Sequence, residues 1–301
     1  MNKRDFLKLG GVAALSAALP LSPARAKAPA ATLSLRWLGG ATMELDIDGL
    51  RILTDPCFGE GKEAFEMGDP NEMFDLAKGP NIKMHERLTP FPGLGHSAYD
   101  AVLLSHAHED HFDQKAQAWL GGNGPLLCSD HDREALRAKG FDAQALAHGA
   151  TRDFTADSAK VSITAAPAVH SLNTGVSDIL GLGNGYWIEV EKAGQMTRVY
   201  WAGDTFMADP VAAFVSARPA ADLVIPHIGA VGVDGALGQL SMNGAQAVEF
   251  VARCGAAQAL PVHHSTYALY REGVEAMQPA HSAARPAAPL TVLREGQAIT
   301  L

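Results

Sequence analysis

A dense group of metal-ligand residue types, His106, His108, Asp110 and His111, follows the apolar run Ala101–Leu104. The spacing lets His106 and His108 hold one cation from the same side of a short turn, while the other two are offset towards a second cation. Neutral imidazole and carboxylate suit Zn²⁺, with Mn²⁺ or Fe²⁺ as alternative occupants. A metal site is therefore predicted, and two cations would need further ligands from elsewhere in the chain.

Three more ligand-type side chains each come just past an apolar run that is predicted to be a strand. They could complete a shared site, because the first string alone has too few ligands for two cations. They are His170 after Val161–Ala165, Asp204 after Arg198–Trp201, and His263 after Ala259–Val262.

Short apolar runs with helical segments between them predict layered β-sheets with helices outside. Residues 31–58 form a β-rich unit in which Asp48 and Gly49 make a hairpin turn. Its predicted strands are Leu33–Leu38, Thr42–Ile47 and Arg51–Thr54, and the later ones include Leu126–Cys128, Tyr186–Val190 and Leu223–Ile225.

Residues 59–98 do not follow this alternation of apolar runs and helical segments, because they contain several prolines and glycines around one helical candidate, Glu63–Lys78. They are interpreted as an inserted loop region. Its apolar residues could form a wall for an acyl or aromatic substrate, or they could only seat the insertion on the core. These residues are Phe65, Met67, Met73, Phe74 and Met84. The clearest helix prediction is Ser241–Cys254, with Ser241 as its N-cap and Gly255 as its stop.

The composition describes an acidic globular protein of 301 residues, 47% of them apolar, with a net charge of 24 − 33 = −9. This balance supports a sizeable core and disfavours electrostatic binding of nucleic acid. Only three cysteines are present, far apart in sequence, which excludes a disulfide framework and a cysteine zinc cluster.

Residues 1–26 are typical of an export signal, with the basic start Lys3-Arg4, an apolar stretch and the cleavage motif Ala24-Arg25-Ala26. The start resembles a twin-arginine signal in which lysine replaces the first arginine. We expect cleavage, export to the bacterial periplasm and no stable membrane insertion afterwards, leaving residues 27–301 as a single domain.

The chain resembles metallo-β-lactamase-fold hydrolases, in the branch of the L-ascorbate-6-phosphate lactonases and N-acylphosphatidylethanolamine phospholipase D-like enzymes. The resemblance covers nearly all of residues 27–301. Besides the histidine string, it is carried by Trp37-Leu38-Gly39, Asp48-Gly49-Leu50-Arg51-Ile52-Leu53-Thr54-Asp55-Pro56, Gly203-Asp204-Thr205 and Pro261-Val262-His263.

This resemblance implies an α/β fold of αββα sandwich type, with a site for two divalent metal ions at the edge of the two sheets. His106, His108 and His170 would bind one metal; Asp110, His111 and His263 would bind the other; Asp204 would bridge them. A bridging carboxylate is typical of the phosphodiesterases and lactonases of this fold, whereas β-lactamases proper generally have cysteine at that position.

Other residues receive supporting roles. Asp110 would also orient the attacking hydroxide, and Asp55 would orient a ligating histidine, although it could instead be a turn residue before proline. His264 is expected to pack beside the ligands, and His227 is either a proton donor or a packed strand-end histidine. Gly40 stands where many relatives have histidine.

The predicted function is binuclear hydrolysis of a phosphodiester or of a lactone or ester, by a metal-bridging hydroxide. The expected partner is a small-molecule or lipid-derived anionic substrate. The alternative is a non-catalytic, metal-containing envelope binding protein of the same fold.

Overall fold

The computed structural model describes residues 32–122, 124–284 and 288–301, and the predicted export segment 1–26 lies outside them. In chain order the strands are β1 (Leu33–Gly39), β2 (Thr42–Ile47), β3 (Leu50–Thr54), β4 (Phe65–Gly68), β5 (Ile82–His85), β6 (Ala101–Leu103), β7 (Leu126–Cys128), β8 (Ala143–Ala145), β9 (Thr151–Ala156), β10 (Ala159–Ala168), β11 (Gly183–Lys192), β12 (Gln195–Trp201), β13 (Leu223–Ile225) and β14 (Ala298–Thr300). The helices are α1 (Gln114–Leu120), α2 (Arg133–Ala138), α3 (Thr174–Leu180), α4 (Asp209–Ser216), α5 (Gly244–Arg253) and α6 (Val274–Ala284).

The strands form two main sheets. The first has the order β14-β1-β2-β3-β6-β7-β8, and the second has the order β13-β12-β11-β10-β9. Strands close in sequence pair antiparallel, as in β1 to β3, while β3, β6, β7 and β8 pair parallel. Parallel pairing needs crossover connections, and α1 and α2 provide them between β6, β7 and β8.

The main apolar core lies between the two sheets, where alternate residues of facing strands meet. Leu35 and Trp37 of β1, in the first sheet, belong to one buried cluster with three residues of the second sheet. These are Ile163 of β10, Ile188 of β11 and Trp201 of β12. Alternation of this kind, with period two, is what places one face of a strand in a core. The predicted strands therefore identify the residues that hold the sandwich together.

Helices cover the outer faces of both sheets. Leu120 of α1 and Leu136 of α2 pack against the first sheet, while Phe214 of α4, Phe250 of α5 and Met277 of α6 pack against the second. The arrangement is the predicted αββα sandwich, which the structure confirms. No helix in the described part of the chain is long and apolar enough to cross a membrane.

Three local predictions are wrong. Helix α5 begins after Asn243, not Ser241: the Asn243 side chain accepts the Gln246 N–H at 2.9 Å, and the Gln246 side chain accepts the Asn243 N–H at 2.8 Å. The Ser241 hydroxyl instead accepts the N–H of Val231 at 3.0 Å. A reciprocal capping box satisfies two backbone donors and so outcompetes a single serine.

Glu63–Lys78 is not a helix: β4 lies inside it and pairs antiparallel with β5 as a two-stranded ribbon. Buried Phe65 stacks on His85 and contacts Tyr267 edge-on, so tertiary contacts outweigh the helical pattern. The predicted strand Ala259–Val262 is reduced to isolated bridges, with Ala259 beside Val224 and Val262 beside His227.

Candidate metal centre

The loop after β6 carries the histidine string and is held rigidly at its far end. Asp113 caps α1 by accepting the Ala116 N–H at 2.7 Å, and its other oxygen accepts the N–H groups of Phe58 and Gly59. One buried carboxylate therefore joins the string to the segment after β3. This fixes the turn from which the four ligand-type side chains project.

The first ligand group consists of His106, His108 and His170, whose ligand nitrogens all lie within 4.8 Å of one another. His170 Nε2 is 3.1 Å from His106 Nε2 and 3.3 Å from His108 Nδ1. The other ring nitrogen of His170 donates to the Leu240 carbonyl at 2.7 Å. That bond leaves the Nε2 lone pair directed at its two neighbours, which suits a shared cation.

The second group consists of Asp110, His111 and His263. His263 Nε2 and His111 Nε2 lie 3.5 Å and 3.8 Å from Asp110 Oδ2, and neither nitrogen has a hydrogen-bond partner among the described residues. His263 Nδ1 donates to the Ile228 carbonyl at 2.7 Å. His263 also has a left-handed backbone, with φ of 62°, a conformation that a non-glycine residue keeps only where its surroundings require it.

Asp204 lies between the two groups. Its Oδ2 is 3.5 Å from His111 Nε2 and 3.7 Å from His263 Nε2, and it forms a further ligand set with His106 and His111. The preceding Gly203 has φ of +66°, and a Cβ there would lie 2.7 Å from the Asn184 carbonyl oxygen. Glycine is therefore required for the turn that delivers Asp204.

The seven residues fit divalent cations. His111 Nε2, His263 Nε2 and Asp204 Oδ1 are buried polar atoms that lack a partner in the described chain. Leaving such atoms unsatisfied is costly, and imidazole and carboxylate are the ligand types that Zn²⁺, Mn²⁺ and Fe²⁺ take. A cation would satisfy them together.

The electrostatics of the group match this donor set except at His111: burial lowers the pKa of this ring, but the carboxylates of Asp204, Asp110 and Asp55 outweigh burial and raise it well above its usual value, so a cation would have to displace a proton there. Burial opposes ionisation of Asp110 and Asp204, but the surrounding histidines outweigh it and hold the pKa of both carboxyls well below the usual value. Burial and the neighbouring histidines lower the pKa of His106 strongly and that of His108 to about 4. At neutral pH the carboxylates are therefore charged and these two imidazoles are neutral, as metal ligation requires.

Asp55 lies directly behind the ligands. Its Oδ2 accepts hydrogen bonds from His111 Nδ1 at 2.5 Å and from the Ser105 hydroxyl at 2.6 Å. Its Oδ1 accepts a hydrogen bond from the Ser105 N–H. Ser105 Oγ is also 2.9 Å from His106 Nδ1. One carboxylate and one hydroxyl thus orient a histidine of each group, and sequence reasoning missed Ser105 because an isolated serine has no motif of its own.

His264 and His227 are both outside the three ligand sets. His264 packs 4.8 Å from the Trp37 ring, and burial lowers its pKa to about 4. His227 is fully buried against Trp201, with its ring 5.8 Å from that of His263, and it does not line the cavity described below. Its predicted catalytic role stays a prediction, and this position gives it no direct access to a substrate there.

Tyr270 is a second residue that sequence reasoning missed. Its ring lies 4.6 Å from that of His263, and its buried hydroxyl has no hydrogen-bond partner in the described residues. A Cβ on Gly40 would be 3.1 Å from this hydroxyl, so the absence of a side chain at position 40 leaves the space that Tyr270 uses. In the sequence, Gly40 was the only feature that pointed to the space occupied by Tyr270.

A cavity of about 290 Å³ adjoins the group, and His108, Asp110, His170 and Asp204 form part of its wall. The rest of the wall is mainly apolar and includes Met67 and Phe74 from the 59–98 segment. The remaining candidates of that segment lie elsewhere, since Phe65 is buried in a separate cluster and Met73 and Met84 are exposed.

Residues 50–264 match the family described as the beta-lactamase superfamily domain, and the chain belongs to this family. The chain is 29% identical over 185 residues to a Methanosphaerula palustris protein named metal-dependent hydrolase, covering 60% of this chain and 75% of the relative. It is 25% identical over 182 residues to N-acyl-phosphatidylethanolamine-hydrolyzing phospholipase D 1 of Caenorhabditis elegans, covering 58% and 47%. These relatives confirm the resemblance.

An uncharacterized Mycobacterium tuberculosis protein is 27% identical over 260 residues, which cover 84% of this chain but only 64% of the relative's length. Among solved structures, isothiocyanate hydrolase from Delia radicum gut bacteria aligns with a TM-score of 0.70 at 20% identity, covering 89% of this chain and 98% of the other. This likeness establishes the shared metallo-β-lactamase fold.

Proposed function

We propose that this protein is a binuclear metal-dependent hydrolase that cleaves a phosphodiester bond or a lactone or other ester bond. The observation that carries the proposal is the meeting of seven buried or half-buried His and Asp side chains in three overlapping ligand sets beside a cavity. A structural zinc site is a closed set of four ligands. Overlapping sets that share His106 and His111 instead favour two neighbouring cations.

His106, His108 and His170 would hold one cation, Asp110, His111 and His263 would hold the other, and Asp204 would be shared between them. Zn²⁺ is the first choice over Mn²⁺ or Fe²⁺. Bound cations would supply an activated water and would polarise the oxygen of the scissile bond. Asp110 borders the cavity and remains ionised at neutral pH, so it can accept a hydrogen bond from the attacking water and orient it.

The proposal is tested by hydrolysis of a chromogenic phosphodiester, a phosphomonoester, a simple lactone and a cephalosporin, with metal content measured by mass spectrometry. We expect two metals per chain and turnover of the diester or the lactone, lost on chelation and restored by Zn²⁺ or Mn²⁺. Asp110→Ala should abolish turnover, because it removes both a ligand and the water-orienting carboxylate.

Asp130→Asn is the matched control, since Asp130 is an exposed aspartate outside the ligand sets and should leave activity unchanged. No turnover by a protein that holds two metals would overturn the hydrolase proposal in favour of a metal-containing binding protein. Turnover that survives complete metal removal would overturn it as well.

We also propose export to the periplasm through residues 1–26, on the basis of the basic start and the Ala24-Arg25-Ala26 motif. N-terminal sequencing of the protein from a periplasmic fraction should find a chain that begins at Lys27. Full-length protein confined to the cytoplasm would contradict this proposal.

A further inference from the structure

The cavity beside the ligand group is built from three separate segments. The ribbon segment after β4 contributes Phe74 and Leu76, α3 contributes Ile179, and the loop before α5 contributes Leu237 and Leu240. These segments are distant in sequence, so the fold brings apolar side chains together from three directions. A ligand pocket of this type is mostly apolar, with a few polar groups that fix orientation.

The described residues in the wall of this cavity include acidic side chains but no lysine or arginine. The polar side chains of the wall are His108, Asp110, His170 and Asp204. A substrate with several negative charges would therefore find no positive side chain in the wall. Only the proposed cations could neutralise a single anionic group.

The wall also leaves apolar surface in contact with solvent. Leu76 is 55% exposed and Ile179 is 65% exposed, although both are large aliphatic residues. Covering such residues with an apolar ligand removes their side chains from water, which makes binding of the ligand more favourable. Their position extends the apolar wall beyond the ligand residues.

From these observations we infer that the cavity binds an apolar chain of the substrate, an alkyl or acyl group, and holds the adjoining ester or phosphoester bond at the ligand group. The inference rests on the proposed function and narrows its substrate class. The four polar residues meet the reacting bond, while the side chains from the three segments meet the hydrocarbon. Specificity then depends on chain length more than on charge.

Binding of n-butanol, n-hexanol and n-octanol, measured by calorimetry on the purified protein, tests the inference without requiring turnover. Each added methylene should tighten binding by about fourfold until the cavity is filled. Ile179→Asp should weaken octanol binding by about tenfold, because it places a charge in the apolar wall. Equal affinity for butanol and octanol would overturn the inference.

Leu172→Asp is a closely matched control, since Leu172 is 63% exposed, precedes α3 and does not line this cavity. It should retain the octanol affinity of the unmodified protein, and an equal loss in both variants would also overturn the inference. Binding that depends on chain length, without any hydrolysis, would contradict the proposed function and leave this inference standing. Metal-dependent hydrolysis that ignores chain length would remove the inference alone.

Discussion

At the scale of single residues, the site is defined by polar atoms that the protein leaves unsatisfied. The proposed shared cation would satisfy the unpartnered nitrogens of His111 and His263, whereas the Tyr270 hydroxyl is no ligand in any of the three sets. Burial raises the pKa of Tyr270 far above its usual value, and Asp110 and Asp204 add to this effect. The hydroxyl therefore keeps its proton, and can act as a donor, at neutral pH.

We expect Tyr270→Phe to lower the rate of hydrolysis by at least tenfold, because it removes a buried hydroxyl donor beside the ligand group, next to His263. The free energy of unfolding should be unchanged or higher, since the buried hydroxyl makes no hydrogen bond that would be lost. Steady-state kinetics and urea unfolding measure the two effects.

Tyr267→Phe is the control, because the Tyr267 hydroxyl is buried nearby and accepts a hydrogen bond from Arg87 at 3.4 Å. It should cost stability and leave the rate unchanged. A Tyr270→Phe variant that is less stable but fully active would show that the hydroxyl serves packing alone.

At the scale of elements, the helices outside the second sheet depend on local capping as well as on apolar packing. Helix α5 buries Val248 and Phe250 against that sheet and is started by the capping box of Asn243 and Gln246. Because α5 follows the loop that carries Leu240, its first turn also anchors one wall of the cavity.

Asn243→Ala should lower the free energy of unfolding by about 1 kcal/mol, because one backbone donor of α5 loses its acceptor. Asn243→Ser keeps an acceptor and should cost only a few tenths of that amount. The urea midpoint, at constant slope, measures both. Equal losses in the two variants would mean that the side chain contributes through other contacts.

At the scale of the whole molecule, the candidate metal centre connects the two halves of the sandwich. His106 and His111 follow β6 of the first sheet, while His170 and Asp204 follow β10 and β12 of the second. Cations shared between these residues would therefore hold the two sheets together at one edge. Without them, the negative charges of Asp110 and Asp204 stay buried with weaker compensation.

Metal removal should consequently lower the melting temperature. A site filled at about one hundred times its dissociation constant contributes about 2.7 kcal/mol, which corresponds to roughly 5–10 °C for a domain of this size. Differential scanning calorimetry with and without chelator measures the shift. The Asp110→Asn/Asp204→Asn double variant should show almost none, and an equal shift in that variant would place the stabilising metal elsewhere.

Much of the fold could be predicted from the sequence, because strand periodicity is local. Thr42–Ile47, Leu126–Cys128 and Leu223–Ile225 have the predicted bounds, and the sandwich class is confirmed. The start of α5 was a local error, because the capping box of Asn243 and Gln246 lies within one helix turn. The Glu63–Lys78 error fell where a distant partner decides the local structure, since β4 pairs with β5 and Phe65 is buried against Tyr267. Helical periodicity carries no information about such partners.

The sequence by itself determined the ligand types and the strand ends that carry them, since a histidine or aspartate after an apolar run is visible without coordinates. Only the tertiary structure decided that Asp204 lies between the two groups, that His227 lies away from the cavity, and that Tyr270 reaches the space beside Gly40. It also decided the apolar wall formed by α3 and two remote segments. The physical reason is that ligand identity is a local property, whereas distances between residues far apart in sequence arise only when the two sheets pack.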